Sequence, residues 1–417
     1  MKLQIGFGAS TQDIDVPDTN LIGIMKPEKV ETLVTGVKAV INSLTQPIES
    51  PRLSEIIKPG EKIVIITSDI TRPLPSNKII PAVLDELCIA NVHPEDVTIV
   101  FALGGHRKHT KEEMVKLVGK DIYNRILCVD SDPDDFVYMG TTGTGTPVNI
   151  TRIVAEAEMR IGIGNIEYHY FAGYSGGAKA IMPGVSTRSA IQSNHSKMVQ
   201  PESTAGRIEG NPVRQDIEEA IKYCPLDFIV NVVLDEHKEI IYAVAGHPIY
   251  AHRDGCRFID KIYRKNLSRY ADIVIASQGG EPKDLNLYQT QKALDNAKHA
   301  VRPGGIIILV GSCREGMGDE VFENWMVNSD SVESLIQRIQ ADFQLGGHKA
   351  AAIALVLQRA DIYLVSEMEQ EFVRSIFLNP YATVQSALRD AFAKLGNNAT
   401  VLVMPYAGLT LPFLIDK

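Results

Sequence analysis

The sequence predicts an α/β protein built as two open, mostly parallel-sheet (Rossmann-like) domains. Three observations carry this expectation. Apolar, β-branched runs alternate with helical periodicity twice in succession after residue 61, the same alternation resumes after residue 271, and 417 residues are enough for two substantial cores. A boundary near Tyr270 gives an N-terminal domain 1–270 and a C-terminal domain 271–406, with the tail 407–417 expected to return to the first.

The N-terminal MKLQIGFG opens directly as a strand. EKIVIITS (61–68) is a strand that runs into the polar loop DITRPLP (69–75) and then the helical pattern SNKIIPAVLDELCIA (76–90). Ligands of open parallel sheets bind outside the carboxyl ends of the strands, so Asp69, Thr71 and Arg72 are placed to meet one. Arg72 offers a fork for a carboxylate or phosphate, although an Asp–Arg surface pair fits the same spacing. VTIVFAL (97–103) repeats the arrangement into GGHRKHTKEEM (104–114), where Thr110 and Glu113 form a capping box. His106 thus lies just past a strand end, whereas His109 sits nearer the cap and is expected to face solvent. GTTGTGTP (140–147) lacks the strand–GxGxxG–helix order of a dinucleotide site and reads as a turn.

The densest chemistry is in GIGNIEYHYFAGYSGGAKAIMPG (162–184), which a strand over 156–165 enters, followed by His195 on a helix over about 186–198. Gly173, Gly176 and Gly177 can reach positive φ and present amide N–H groups as an anion nest. Lys179 then serves either as a point charge or, once desolvated, as a nucleophile. His169 and His195 suit proton transfer or a soft transition metal. The pattern is not a nucleotide-triphosphate loop, because Ala178 separates Gly177 from Lys179 and Ala180 follows the lysine.

Beyond it come a helix that Asn211 caps with Pro212 at its first position, a hairpin of DFIVNVVLD (227–235) and EIIYAVAG (239–246), and a helix over 248–266. The second domain alternates strand 271–280, helix 286–301, strand 305–311, helix 333–345, the apolar stretch 349–360, strand 361–367, helix 384–396 and strand 399–406. Gln289 and Lys292, three apart near the start of its first helix, share a face suited to a small carboxylate, with Tyr288 beside them.

Composition narrows the function classes. A net charge of −9 with 22% charged residues provides no basic field for nucleic acid. No uncharged apolar run approaches the ~20 residues needed to span a bilayer, and no signal-peptide pattern opens the chain. Five scattered cysteines without metal spacing read as free thiols of a reducing compartment. A cytoplasmic protein acting on a small soluble molecule is the expectation.

DITRP, GGHRKHT, the 162–184 stretch with His195, and DLNLYQTQK (284–292) together resemble the lactate racemases of the nickel-pincer type over almost the whole chain. The resemblance implies a two-domain enzyme with its active site in the interdomain cleft. It further implies a nickel(II) pyridinium-3,5-bisthiocarboxylic acid mononucleotide, supplied by cofactor-biosynthesis enzymes and joined to Lys179 through a thioamide, with His195 as nickel ligand. Asp69, Ile70, Thr71 and Arg72 would lie at cofactor and substrate, His106 and His169 would be the acid/base pair, and Tyr288, Gln289 and Lys292 would bind the substrate with Arg72. The reaction implied is interconversion of D- and L-lactate through hydride abstraction and return, which meets the weak acidity of lactate's α-hydrogen. Other 2-hydroxy acids such as malate fit the same carboxylate-binding residues, and a non-catalytic cofactor-binding protein would need only Lys179 and His195. With ligand groups on both domains, hinges are expected near 268–272 and 406–409.

Overall fold

The computed structural model describes residues 1–28, 34–235 and 237–415. The chain divides into two compact units, a central one (Val30–Lys261) and a terminal one made of Met1–Lys29 together with Ile262–Lys417. Each is an α/β unit around its own six-stranded sheet.

The terminal unit opens with the hairpin Lys2–Phe7/Ser10–Asp15 and then strand β1 (Leu21–Ile24). The central unit holds β2 (Ile63–Ser68), β3 (Val97–Ala102), β4 (Leu127–Asp130), β5 (Met159–Asn165), β6 (Phe228–Leu234) and β7 (Ile240–Gly246). Their order in the sheet is β7-β6-β5-β2-β3-β4, parallel except for the edge strand β7. The inner strands read as nearly unbroken apolar runs because helices cover both faces of a parallel sheet. Ile63, Ile65, Ile99, Phe101, Ile161 and Ile163 form one face of that core with Ile79, Ile80, Val83 and Leu87 of the helix Ser76–Ile89.

Chain order sets the position of the site. From β2 the sheet grows through β3 to β4 on one side, and the chain then returns to lay β5 and β6 on the other. The direction of growth therefore reverses between β2 and β5, and a crevice opens beyond their carboxyl ends at such a switch point.

In the terminal unit, β8 (Ala271–Ser277), β9 (Val301–Val310), β10 (Ala360–Val365), β11 (Asn379–Tyr381) and β12 (Val401–Met404) join β1 in the order β11-β10-β9-β8-β12-β1. Every pairing in this sheet is parallel. The two-sheet α/β class expected from the sequence is observed, but the boundary is not at 270. The N-terminal segment belongs with the C-terminal half, because Leu21 pairs with Val401 and extends that sheet. The tail pairs at Leu411–Leu414 with Arg264–Leu267, residues expected inside the 1–270 domain and mostly in a helix, which here form a strand of the terminal unit. The chain accordingly passes between units after Lys29 and after Lys261, not at 268–272 and 406–409. All five cysteines are free, and among the described residues no helix is long and apolar enough to cross a membrane.

Candidate active site

Three adjacent strands of the central sheet deliver the candidate residues to one edge. Asp69–Arg72 follows β2, His106 follows β3, and β5 leads through Asn165 into His169 and Lys179.

The β2 and β3 loops are tied together by hydrogen bonds. His106 Nδ1 lies 2.7 Å from Asp69 Oδ2, and Thr71 Oγ1 donates to both Asp69 oxygens at 2.9 and 3.1 Å. Burial alone would push the Asp69 carboxyl up, but hydrogen bonds from His106 and Thr71 and the charge of Arg72 hold it below the usual carboxylate range. Asp69 is thus an anion that orients His106 as the aspartate of a Ser–His–Asp triad orients its histidine. Arg72, about half exposed, has Nε 4.0 Å from Asp69 Oδ1, at the outer reach of an ion pair.

His109 corrects the expectation that it faces solvent. Its side chain is buried, with Nδ1 2.5 Å from Asp130 Oδ1 at the end of β4, and its Nε2 accepts from the Ile70 N–H at 3.0 Å. His109 therefore braces the loop that carries Asp69 and Arg72. The sheet-edge rule that found Arg72 and His106 would have found Asp130 as well.

The stretch after β5 folds back on itself, with Tyr168–His169 antiparallel to Gly173–Tyr174. Its glycines do not form an open anion nest. Gly173 has φ +77°, and a Cβ there would lie 2.1 Å from the Arg207 carbonyl oxygen. The Gly177 N–H already donates to Asn231 Oδ1 at 2.8 Å, and a Cβ at that position would lie 2.8 Å from the His252 ring. The glycines permit close backbone packing, which presents the next turn rather than a ligand contact.

That turn carries Lys179. Burial drives its ammonium well below the ordinary lysine range, and Arg214 and Arg72 push the same way against Glu167. Arg214 is wholly buried, donating from Nε to the Ala172 carbonyl and from Nη2 to that of Tyr174, so its charge is fixed behind the turn. His169 Nδ1 accepts from the Ala172 N–H at 3.2 Å, which leaves the neutral ring's hydrogen on Nε2. Burial, followed by the charges of Lys179 and Arg72, holds His169 well below its ordinary value. Phe171 packs edge-on against both His169 and His195, at 4.5 and 4.9 Å between ring centroids.

His195 closes the helix Arg188–His195, which Thr187 caps by accepting from the Ala190 N–H. The ring is held neutral, its value pushed down to about 3 by burial and then by Lys179 and Arg72. Its Nδ1 lies 2.9 Å from Asn194 Oδ1. Sequence reading gave no weight to Asn194, to Asp216 behind it or to Arg214, since none stands in a loop after a strand.

Arg72, beside Asp69, lies close enough to His169, Lys179 and His195 to act on the charge of all three. Tyr288, Gln289 and Lys292 belong to the terminal unit. There the expected single helix is two short ones, Leu287–Thr290 and Lys292–Ala297, and Lys292 Nζ donates to Gln289 Oε1 at 2.6 Å. The Tyr288 ring packs edge-on against Phe322 and His348.

Comparison with known proteins shows the family. Residues 7–206 match the lactate racemase N-terminal domain and residues 267–411 the lactate racemase C-terminal domain. The lactate racemase of Thermoanaerobacterium thermosaccharolyticum is 33% identical over 416 residues, covering 97% of each chain. That of Lactiplantibacillus plantarum is 32% identical over 422 residues, covering 97% of this chain and 98% of its own. The structure of the lactate racemase apoprotein from T. thermosaccharolyticum superposes with a TM-score of 0.89 at 32% identity, over 99% of this chain and 100% of that one. A crystal structure of a Thermotoga maritima protein shares the fold alone, with a TM-score of 0.63 at 17% identity over 92% of this chain and 100% of that one. With both domains matched and relatives aligned along nearly the whole length, this chain belongs to the lactate racemase family of isomerases.

Proposed function

We propose that the protein is a racemase that interconverts D- and L-lactate by removing and returning the α-hydrogen as hydride, using a nickel-pincer nucleotide tethered to Lys179. The observation that supports this most is that Arg72, next to the Asp69–His106 pair, acts electrostatically on His169, Lys179 and His195 alike.

The residues suit that group. A lysine pressed toward the neutral amine is fit to form a thioamide, and a neutral imidazole is the form of histidine that ligates metal. Among the described residues no three His, Cys, Asp or Glu side chains converge as a metal site. A nickel ion at His195 would then take its other donors from the nucleotide. When bound, the pincer would supply a hydride acceptor, a function no side chain here has.

The protein's own part is proton transfer and orientation. His106 Nδ1–H points at Asp69, so its Nε2 is the atom to exchange the hydroxyl proton of one enantiomer. His169 would serve the other enantiomer with its hydrogen moved to Nδ1, which requires the Ala172 N–H contact to Nδ1 to open and leaves Nε2 to accept the proton. Arg72 provides a fork for the carboxylate, and binding that anion offsets the cationic repulsion that depresses His169. Gln289 and Lys292 keep the carboxylate-binding assignment that the family resemblance gives them, and Tyr288, adjacent in sequence, keeps its place as a substrate-binding hydroxyl. No observation favours a mere cofactor carrier, which has no use for the Asp69–His106 pair.

The test is protein coexpressed with the cofactor-making enzymes, analysed by intact mass and nickel content and assayed with D- and L-lactate, malate and 2-hydroxybutyrate. The expected result is one adduct on Lys179, nickel, and lactate as the fastest substrate. An active, adduct-free Lys179→Ala variant would overturn the tether, and faster turnover of malate would move the assignment to that acid.

A further inference from the structure

Asp216, on the helix Pro212–Tyr223, is fully buried and accepts an unusual number of hydrogen bonds. Thr142 and Thr144 donate to Oδ1 at 2.5 and 2.6 Å, and Thr146 donates to Oδ2 at 2.7 Å. Lys197 Nζ reaches Oδ2 at 3.1 Å, and Asn194 Nδ2 reaches the same oxygen at 2.8 Å. The three threonines come from the turn of the hairpin Phe136–Thr141/Pro147–Thr151, and Lys197 lies just past the helix that ends in His195. The carboxylate is therefore pinned from two directions and cannot swing away from Asn194.

Asn194, also fully buried, has no choice of orientation. Its Nδ2 donates both to Asp216 Oδ2 and to the Val213 carbonyl, at 2.8 and 3.2 Å. Turning the amide over would set its oxygen against a carboxylate and a carbonyl, leaving buried acceptors face to face. The Oδ1 atom must then point the other way, where it lies 2.9 Å from His195 Nδ1. An amide oxygen only accepts, so His195 Nδ1 must donate, and a neutral ring with its hydrogen on Nδ1 carries its lone pair on Nε2.

We infer that Asn194, oriented by Asp216, is a positioning residue that fixes His195 in the Nδ1–H tautomer, the form whose Nε2 can ligate the cofactor's metal. The inference rests on the reading of His195 as nickel ligand, but the tautomer itself does not. Residues that hold the second nitrogen of a metal-binding histidine set its orientation, and their loss typically weakens metal binding by ~10–100-fold. The helix ending in His195 and the hairpin turn are thereby joined to the ligand through one carboxylate, with Asn194 transmitting its direction.

The experiment is two-bond 1H–15N spectroscopy of protein with 15N-labelled histidine, before and after cofactor loading, together with nickel retention against a chelator. In cofactor-free wild type, His195 is expected to show a protonated Nδ1 and an unprotonated Nε2. Asn194→Ala should let the Nε2–H tautomer appear and cut nickel retention by ~10-fold or more. Asp216→Asn, which leaves Asn194 without a fixed donor direction, should give a mixture of the two forms and serves if Asn194→Ala does not fold. Thr144→Val, which removes one donor to Asp216 without touching Asn194, should leave the tautomer as in wild type. A wild-type His195 protonated on Nε2, or an unchanged tautomer in folded Asn194→Ala, would overturn the inference. Full nickel retention in His195→Ala with the wild-type tautomer as expected would instead overturn the ligand assignment and leave Asn194 in its positioning role.

Discussion

In the central sheet the direction of growth reverses between β2 and β5, and in the terminal sheet it reverses between β8 and β12. Both switch points offer the same opening, but they are filled differently. At the central one the loops bring Asp69, Arg72, His106, His169 and Lys179, with His195 on a helix behind them. At the terminal one the backbone closes on itself. The Ala407 N–H donates to the Ser277 carbonyl at 2.7 Å, and Asn296 Nδ2 donates to the Ala407 carbonyl at 2.7 Å. A Cβ on Gly279 would lie 2.7 Å from the Tyr406 ring, and one on Gly408 only 2.1 Å from Gln278 Oε1. Topology sets where a site can be, and the side chains on the loops decide whether one exists.

The comparison breaks most readily at Asp69. In nickel-loaded Asp69→Asn protein, kcat for both enantiomers should fall by ~100-fold, about 2.7 kcal/mol of barrier, because His106 loses its orienting anion. Stopped-flow or coupled assays at fixed nickel content measure it, and a wild-type kcat would remove the Asp69–His106 pair from the mechanism. Gly279→Ala should do the opposite, costing about 2 kcal/mol of stability through strain at φ +95° and the clash with Tyr406. The single tryptophan, Trp325, is buried in the terminal unit, so its fluorescence during urea unfolding reports that loss. If Gly279→Ala instead lowered kcat at unchanged stability, the close packing at Gly279 would serve to place the substrate-binding residues beyond β8 rather than to stabilise the unit.

The smallest expected difference is in acid. Leaving aside His195, the central unit buries His169 and His252 with values well below the ordinary one, and the terminal unit has His299 at about 3. Burial is the first cause in each case, since it penalises the charged ring. The unfolded chain binds more protons below the ordinary histidine value of roughly 6.5, so the stabilisation is complete above that pH and is lost as pH falls. With more such rings, the central unit of the cofactor-free protein should loosen first. Far-UV circular dichroism should then change at a higher pH than Trp325 fluorescence, and simultaneous changes would contradict the difference.

Much of this was legible in the sequence. β2 and β3 announced themselves as apolar runs ending in polar loops, and the Thr110–Glu113 capping box and the Asn211–Pro212 helix start are as expected from local chemistry. What escaped depended on distant partners. The parallel pairing of Leu21 with Val401 leaves no mark in either segment, so the N-terminal strand was assigned to the wrong unit. His109 looked solvent-facing because its partner Asp130 is supplied by another strand. The glycines of 173–177 suggested an anion nest because their positive φ was foreseeable, whereas Asn231 occupying the Gly177 N–H was not. Asn194 and Asp216 are ordinary helix residues until the fold sets them beside His195 and three threonines.

The claim on which the account stands is that the central crevice racemises through two histidines, and nickel-loaded His106→Gln and His169→Gln proteins test it most directly. Each is to be assayed from D-lactate and from L-lactate, with nickel content measured on the same samples. Loading should persist in both variants while interconversion falls by ~1,000-fold in each direction, because one histidine serves as base and the other as acid whichever enantiomer is the substrate. Near-wild-type racemisation by either variant at full nickel content would contradict the account.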